Sequence, residues 1–306
     1  MKPRDRVVGG VLGLALGDAL GAPFEFLRAR NVPDPIPVLE LPWLDFPPGS
    51  TTDDTAMART LSRSLAERGG FDPADLVRRH LEWFASDPPD VGTLTRRVLM
   101  RVAAGQEATG AARAVWEERG PEVSAGNGSV MYCAPLGLAY ASRPAELLDL
   151  APRLSALTHY DERCRTSVLA VTLAAAALVR GEPRRGAAEE ALASVLDREG
   201  GEELEFLVEQ VGRARPIDGP DQGFCLFTTG AAFQALLRFD DFESGLRHAV
   251  GMGGDTDTNG AVAGALLGAH VGIDGLPADW LGRLREADAI HEEAEALVPL
   301  ALRARA

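Results

Sequence analysis

The chain has 306 residues, of which 46% are hydrophobic and 25% charged, and a formal charge of −14 at pH 7. That is the make-up of an ordinary globule, and since no linker divides it a single domain spanning residues 1–306 is expected. The negative charge repels phosphate backbones and argues against nucleic-acid binding through a basic face, although a bound cation can still recruit an anion.

Cys133, Cys164 and Cys225 are odd in number and scattered, which points to reduced thiols in a cytoplasmic compartment. At the N-terminus Lys2, Arg4 and Arg6 precede an apolar run from Val7 to Leu16 and mimic a secretion leader. Asp18 and the regular glycines speak against that reading. The other apolar run, Val168 to Val179, is shorter than the ~20 residues a span requires, so no membrane association is expected.

From Val8 to Phe26 the spacing predicts a helix, with Gly9, Gly13, Gly17 and Gly21 on one close-packing face and Pro23 marking its end. Asp18 within it reads as a buried, hydrogen-bonded structural carboxylate. Glu25, just past it, is better placed for chemistry. Residues 31–50 hold several prolines and no helical period, so they form a loop running up to Thr51-Thr52-Asp53-Asp54-Thr55. A helix begins there and runs through Met57, Leu61 and Leu65 to Gly69-Gly70. Thr52 or Asp53 can serve as its N-cap, but two adjacent aspartates exceed what capping needs. Further helices are expected over Asp72 to Phe84 and Leu94 to Ala103, separated by a loop in which Asp90 reads as a cap.

Gly126-Asn127-Gly128-Ser129 looks like a glycine loop opening a helix from Val130 to Tyr140, whose free amides suit phosphate oxygens. Thr158-His159-Tyr160-Asp161 precedes a helix from Glu162 to Val179, and a lone histidine there is most often structural. Residues 181–215 read as solvated scaffold, 224–239 and 242–250 as helices. The stretch Gly251 to Gly260 places Asp255 and Asp257 two apart behind Gly251, Gly253 and Gly254. Side chains at that spacing do not share a helix face, so it reads as a chelating loop feeding a helix from Ala261 to His270. Gly260, Gly264 and Gly268 make a second glycine face on that helix. A final helix is expected from Trp280 to Arg303. Few stretches alternate as strands do, so the fold class is all-α.

Convergence of Glu25, Asp53, Asp54, Asp255 and Asp257 carries an electrostatic demand. Two carboxylates ~4 Å apart repel by ~4 kcal/mol at an effective dielectric of ~20, so five together protonate or separate unless cations intervene. The donors are all oxygen, Thr52 and Thr258 included, which favours Mg²⁺ or Mn²⁺ over zinc, and five carboxylates suggest two ions. Asp255-x-Asp257-x-Asn259-Gly260 also matches the first half of a calcium-binding EF-hand loop, but position twelve is Leu266 where a glutamate is required. The same letters resemble the nucleophile loop of haloacid-dehalogenase phosphatases. Those follow a buried strand that Gly251 to Gly254 do not supply, so a metal-dependent phosphohydrolase stays a runner-up.

Six motifs in order, GDALGAPFE (17–25), TTDDT (51–55), DVGTLT (90–95), GNGSVM (126–131), Thr158-His159 and GMGGDTDTNGAVAGALLGA (251–269), resemble the ADP-ribosylglycohydrolase family over nearly the whole chain. The length and the GNGS and GDTDT motifs are similar to its bacterial dinitrogenase reductase-activating branch. The resemblance implies an all-α, single-domain, multi-helix orthogonal bundle with a two-metal site that releases ADP-ribose from a modified arginine, serine or related acceptor. The implied partner is an ADP-ribosylated protein or small molecule, with arginine the favoured linkage. Thr52, Asp53, Asp54, Asp255, Asp257 and Thr258 are the implied ligands of two divalent cations, Mg²⁺ or Mn²⁺. Glu25, Asp90 and Asp54 form the implied catalytic set, with Glu25 facing the metals and the ribose. Asp53, Asn127, Gly128, Ser129, Met131, His159, Gly251, Gly253 and Gly254 are the implied substrate contacts, and Asn127 to Met131 cradle the diphosphate. Tyr132 stands where many relatives have arginine, implying different phosphate contacts or substrate preference. Lens crystallins related to the family make a catalytically silent ADP-ribose-binding protein the remaining alternative.

Overall fold

The computed structural model describes residues 1–303; residues 304–306, the last three of the expected domain, lie outside the described residues. Among the described residues fifteen α-helices follow one another: α1 (Pro3–Gly21), α2 (Asp53–Arg68), α3 (Pro73–Ala85), α4 (Thr93–Ala103), α5 (Ala108–Arg119), α6 (Ala134–Ala139), α7 (Leu147–Ala156), α8 (Glu162–Arg180), α9 (Arg184–Ala193), α10 (Gly201–Gln210), α11 (Cys225–Arg238), α12 (Phe242–Gly251), α13 (Thr256–Val271), α14 (Ala278–Arg283) and α15 (Ala287–Ala301). A two-residue antiparallel pair, β1 (Leu27–Arg28) with β2 (Gly253–Gly254), is the one sheet among the described residues. The fold is all-α.

Helices α1 and α13 form the axis. Every residue of α1 from Val7 to Gly21 is buried, as is α13 from Thr256 to Ala269. Their glycine faces meet antiparallel in a fixed register, Gly9 against Gly268, Gly13 against Gly264, Gly17 against Gly260 and Gly21 against Thr256. A Cβ on Gly9 would lie 2.5 Å from the Gly268 carbonyl oxygen, and one on Gly13, Gly17 or Gly21 less than 2.5 Å from its partner's. An approach this close requires glycine on at least one helix at each contact. Pro3–Phe24 has the length and mean hydropathy (1.6) of a membrane span, and 94% of that window is buried inside the protein.

The local rules account for several helix ends. The Thr52 hydroxyl accepts from the Asp54 amide at 3.3 Å to cap α2, which stops at Gly69 in the left-handed region. Asp161 caps α8, and Gly181 ends it in the same way as Gly69 ends α2. Four expectations need correction. Helix α13 begins at Thr256, not Ala261, so Asp257, Thr258 and Asn259 lie in its first turn and only Asp255 remains outside as N-cap. Residues 127–133 are turns and α6 starts at Ala134, because Pro135 has no amide to donate and its ring would clash with an earlier turn. The C-terminal helix is broken between Arg283 and Ala287: the Arg285 amide donates to Gly49 O at 3.0 Å instead of within a helix, and Glu286 has φ 56°. Helices α5 and α7 were not expected at all.

Candidate active site

The glycine register determines which residues meet beyond the helix ends. Past Gly21 a 3-10 turn (Ala22–Phe24) leads to Glu25, then β1 pairs with β2, Leu27 opposite Gly254 and Arg28 opposite Gly253. The Phe26 amide donates to Gly254 O at 2.7 Å. Glu25 therefore stands beside the start of α13. Carboxylate oxygens of Glu25, Asp255 and Asp257 lie within 4.8 Å of one another.

Asp18 brings the second acidic segment to the same place. Fully buried on α1, its carboxylate accepts from the Thr52 amide at 3.0 Å, the Thr55 amide at 3.0 Å and the Thr55 hydroxyl at 2.5 Å. The first turn of α2 is thus tied to α1, and the structural reading of Asp18 holds. From that turn Asp54 Oδ1 accepts from the Thr258 hydroxyl at 3.4 Å. Asp53 interlocks with the loop before α4: its amide donates to Asp90 Oδ2 at 3.3 Å, and the Gly92 amide donates to Asp53 Oδ2 at 3.4 Å.

Burial and like charge push this cluster towards protonation. Glu25 is carried up to about 7 by burial, Asp255 and Asp90. Asp53 is raised by burial and Asp90, Asp54 by burial, Asp18 and Asp53, and Asp257 by burial, Asp255 and Asp54. Burial also raises Asp90, and lifts Asp18 to about 6 despite its three donors. Asp54 Oδ2 and Asp257 Oδ1 are buried without a hydrogen-bond partner among the described residues. Partnerless buried carboxylate oxygens in an all-oxygen cluster fit hard divalent cations, which would satisfy the lone pairs and cancel the repulsion.

The cluster forms one wall of a cleft of about 570 Å³. Gly126, Asn127, Gly128, Met131, His159 and Gly223 form the facing wall. Asn127 bridges the two walls, its Nδ2 donating to Asp255 Oδ2 at 2.9 Å and to the Thr228 hydroxyl at 3.0 Å while its amide donates to Gly223 O. His159 pairs through Nδ1 with the Thr158 hydroxyl at 2.9 Å and is held down at about 4 by burial, hence neutral. Gly128 lies against it; a Cβ there would come 2.8 Å from His159 Cε1.

Other expected contacts lie elsewhere. The Ser129 hydroxyl pairs with that of Ser155 at 2.9 Å in the interior. Thr52 faces a small adjoining cavity of about 180 Å³ that Asp53 and Asp90 also line. Gly253 and Gly254 have φ of 70° and 75° and serve the β1–β2 contact, where a Cβ on Gly253 would lie 2.5 Å from the Ala29 amide nitrogen. Gly251 lines a different cavity. The Val130 and Met131 amides are not free for phosphate, because both donate to Asn127 O, at 2.7 and 3.1 Å. Tyr132 is buried edge-on to His80, ring centroids 5.3 Å apart, and does not line the cleft. Sequence reasoning missed Trp43, Leu44, Phe26, Arg96 and Gly223, all lining the cleft. Phe26 and Leu44 carry positive φ (64° and 50°), a conformation that their residue types do not announce.

Comparison with known proteins gives a consistent answer. The ADP-ribosylglycohydrolase family model matches residues 1–306. The chain is similar to the ADP-ribosyl-[dinitrogen reductase] glycohydrolase of Rhodospirillum rubrum, 33% identical over 303 residues covering 97% of each protein. The ADP-ribosylhydrolase ARH3 of Bos taurus is 31% identical, covering 90% of this chain and 87% of that one. The ADP-ribosylarginine hydrolase Tri1 of Pseudomonas putida (strain GB-1) is 27% identical, covering 96% and 78%. Among solved structures an ADP-ribosylglycohydrolase-related protein complex superposes with a TM-score of 0.83 at 36% identity, over 98% of this chain and 99% of that one.

Proposed function

This chain belongs to the ADP-ribosylglycohydrolase family and is a glycohydrolase, and from that premise we propose that it hydrolyses the bond between ADP-ribose and an arginine side chain in a metal-dependent reaction. The observation that carries the reading is the carboxylate cluster of Glu25, Asp255 and Asp257, with Asp54 Oδ2 and Asp257 Oδ1 buried and partnerless beside it. Two divalent cations, Mg²⁺ or Mn²⁺, would be held by Thr52, Asp53, Asp54, Asp255, Asp257 and Thr258. The chemistry they supply when bound is charge compensation and Lewis-acid polarisation of the ribose and of water. Arginine as acceptor is favoured by the Tri1 relative, whose name specifies that linkage.

The chain's own residues do the rest. Glu25, beside Asp255 and Asp257, takes the proton of the attacking water as the anomeric C–N bond breaks; burial and its acidic neighbours raise it to about 7, and cations held by those residues would favour its carboxylate form. The departing guanidine, a strong base, takes up that proton from Glu25 through water and leaves as the guanidinium, which restores the carboxylate. Asp90, bonded to the Asp53 amide, orients the ribose. Because the Val130 and Met131 amides are engaged and Ser129 is fully buried, the Gly128 amide and His159 Nε2 remain for the diphosphate, the last as a donor when the Thr158 hydroxyl donates to Nδ1. Arg96, the one cationic side chain on the cleft among the described residues, adds charge at its rim.

The test offers purified protein arginine-linked and serine-linked ADP-ribosyl peptides with Mg²⁺, Mn²⁺ or chelator, and measures free ADP-ribose and inorganic phosphate. Release of ADP-ribose from the arginine peptide that stops with chelator supports the proposal. Release indifferent to chelator, binding without release, or liberation of phosphate alone would each overturn it.

A further inference from the structure

On the other side of the β1–β2 ribbon from the acidic cleft lies a cavity of opposite charge. It measures about 980 Å³ against the cleft's 570 Å³, and Arg28, Gly251 and Met252 form the wall nearest the ribbon. Four arginines, Arg28, Arg30, Arg213 and Arg247, line it against two aspartates, in a chain whose formal charge is −14. Two of the four are already matched, Arg28 to Asp218 at 3.5 Å and Arg247 to Glu243 at 2.9 Å. Among the described residues Arg30 and Arg213 enter no ion pair.

Arg213 also stands among like charges. Arg238 is held below its usual value by burial and by Arg213, and His248 is brought to about 4 by burial, Arg238 and Arg213. The His248 ring is thus neutral and pairs through Nε2 with Gln234 Oε1 at 2.7 Å. Arg213 and Arg238, which lines an adjoining cavity with it, repel one another as the carboxylates of the cleft do, and an anion beside Arg213 relieves them in the same way. Guanidinium forks match the tetrahedral oxygens of a phosphoryl group, which they can bind through two parallel hydrogen bonds. Two unmatched positive charges correspond to the dianion of a phosphate monoester at neutral pH. The volume exceeds what orthophosphate alone would fill and leaves room for an organic part.

We infer that this cavity is a binding site for a small organic phosphate monoester, with Arg30 and Arg213 as the residues that hold its phosphoryl group. The site is separate from the glycohydrolase cleft, and the inference does not depend on the proposed reaction. Inorganic phosphate is the probe: ³¹P NMR line broadening is followed as phosphate is titrated with the full chain in Mg²⁺ at low ionic strength. Arg30 and Arg213 are exposed and enter no ion pair among the described residues, so Arg30→Ala/Arg213→Ala is expected to fold normally. The expected result is saturable binding by the wild type, undiminished in Asp54→Asn and weakened about tenfold or more in the double variant. A charge-matched control, Arg113→Ala/Arg153→Ala, removes two exposed arginines elsewhere and should bind as the wild type does. Absence of wild-type binding, survival of binding in the Arg30/Arg213 variant, loss in Asp54→Asn, or an equal loss in the control would each overturn the assignment.

Discussion

Substituting Gly17→Ala tests whether the backbone contact between α1 and α13 holds the fold together. In an exposed helix interior the change stabilises by about 1 kcal/mol, because alanine has the higher helix propensity. Here the added methyl would lie less than 2.5 Å from the Gly260 carbonyl oxygen, whereas real Cβ atoms essentially never come within 3.0 Å of such an atom. The helices must therefore part by more than half an ångström, a gap that forfeits about a quarter of the dispersion well at each contact along the face. Overpacking of this kind costs about 1–3 kcal/mol, and because the obstruction is backbone the upper end is expected. Gly186, in α9, is the internal control, since a Cβ there meets nothing within 4 Å. Urea unfolding followed by circular dichroism, with chelator present throughout, should place Gly17→Ala about 2–3 kcal/mol below the wild type and Gly186→Ala slightly above it. A Gly17→Ala protein as stable as the wild type would refute the reasoning.

The cation-free protein should become more stable as the pH falls from 8 to 5.5. Glu25 at about 7 and Asp18 at about 6 sit above their unfolded values, so the native state binds protons that the unfolded chain does not. The associated stability is lost as pH rises through that window, by about 1.4 kcal/mol per pH unit for each extra proton. Thermal unfolding in chelator measures it, and a melting temperature that falls on acidification over this range would contradict the reading. Asp257→Asn should lower Mg²⁺-dependent turnover about a hundredfold or more while raising the melting temperature in chelator, since it removes one member of a repelling set; a loss of both would point to a structural role. Gly128→Ala should lower kcat/KM about tenfold with little change in stability, because its methyl would displace the His159 ring and crowd Thr95 Oγ1 at 3.2 Å. Unchanged kinetics would remove Gly128 from the diphosphate wall.

The α1–α13 contact was readable from glycines spaced by four, because a close backbone approach imposes that composition wherever it occurs. The acidic residues were readable for a similar reason: adjacent or alternating aspartates at helix starts exceed what capping needs, and Asp53, Asp54, Asp255 and Asp257 do come together. What pattern could not supply was register and direction. Nothing in Gly-Asn-Gly-Ser says that the Ser129 hydroxyl turns inward to Ser155, or that Pro135 delays the helix so that two expected amides are used in turns. Trp43, Leu44 and Gly223 reach the cleft from irregular segments, whose path depends on tertiary contacts such as Gly49 against Arg283. Tyr132 shows the limit of motif comparison: a departure in a conserved-looking string faces the core, and the string does not say which way a side chain points.

The arrangement also explains how an acidic cage can persist against so much like-charge repulsion. Asp53 and Asp54 occupy the first turn of α2, and Asp255 and Asp257 cap and begin α13, so both helices direct the positive ends of their dipoles at the cluster. That term is about 0.3–1 kcal/mol per charge at an exposed helix end, which is less than the repulsion between two close carboxylates, so it softens the conflict without removing it. The remainder is carried by contacts that do not involve the cleft: glycine-on-glycine packing fixes where α13 starts relative to Glu25, and Asp18 fixes where α2 starts relative to α1. The carboxylates are therefore held together by backbone contacts that lie outside the cleft. A site assembled in that way would leave the proposed cations only charge to neutralise and little structure to build.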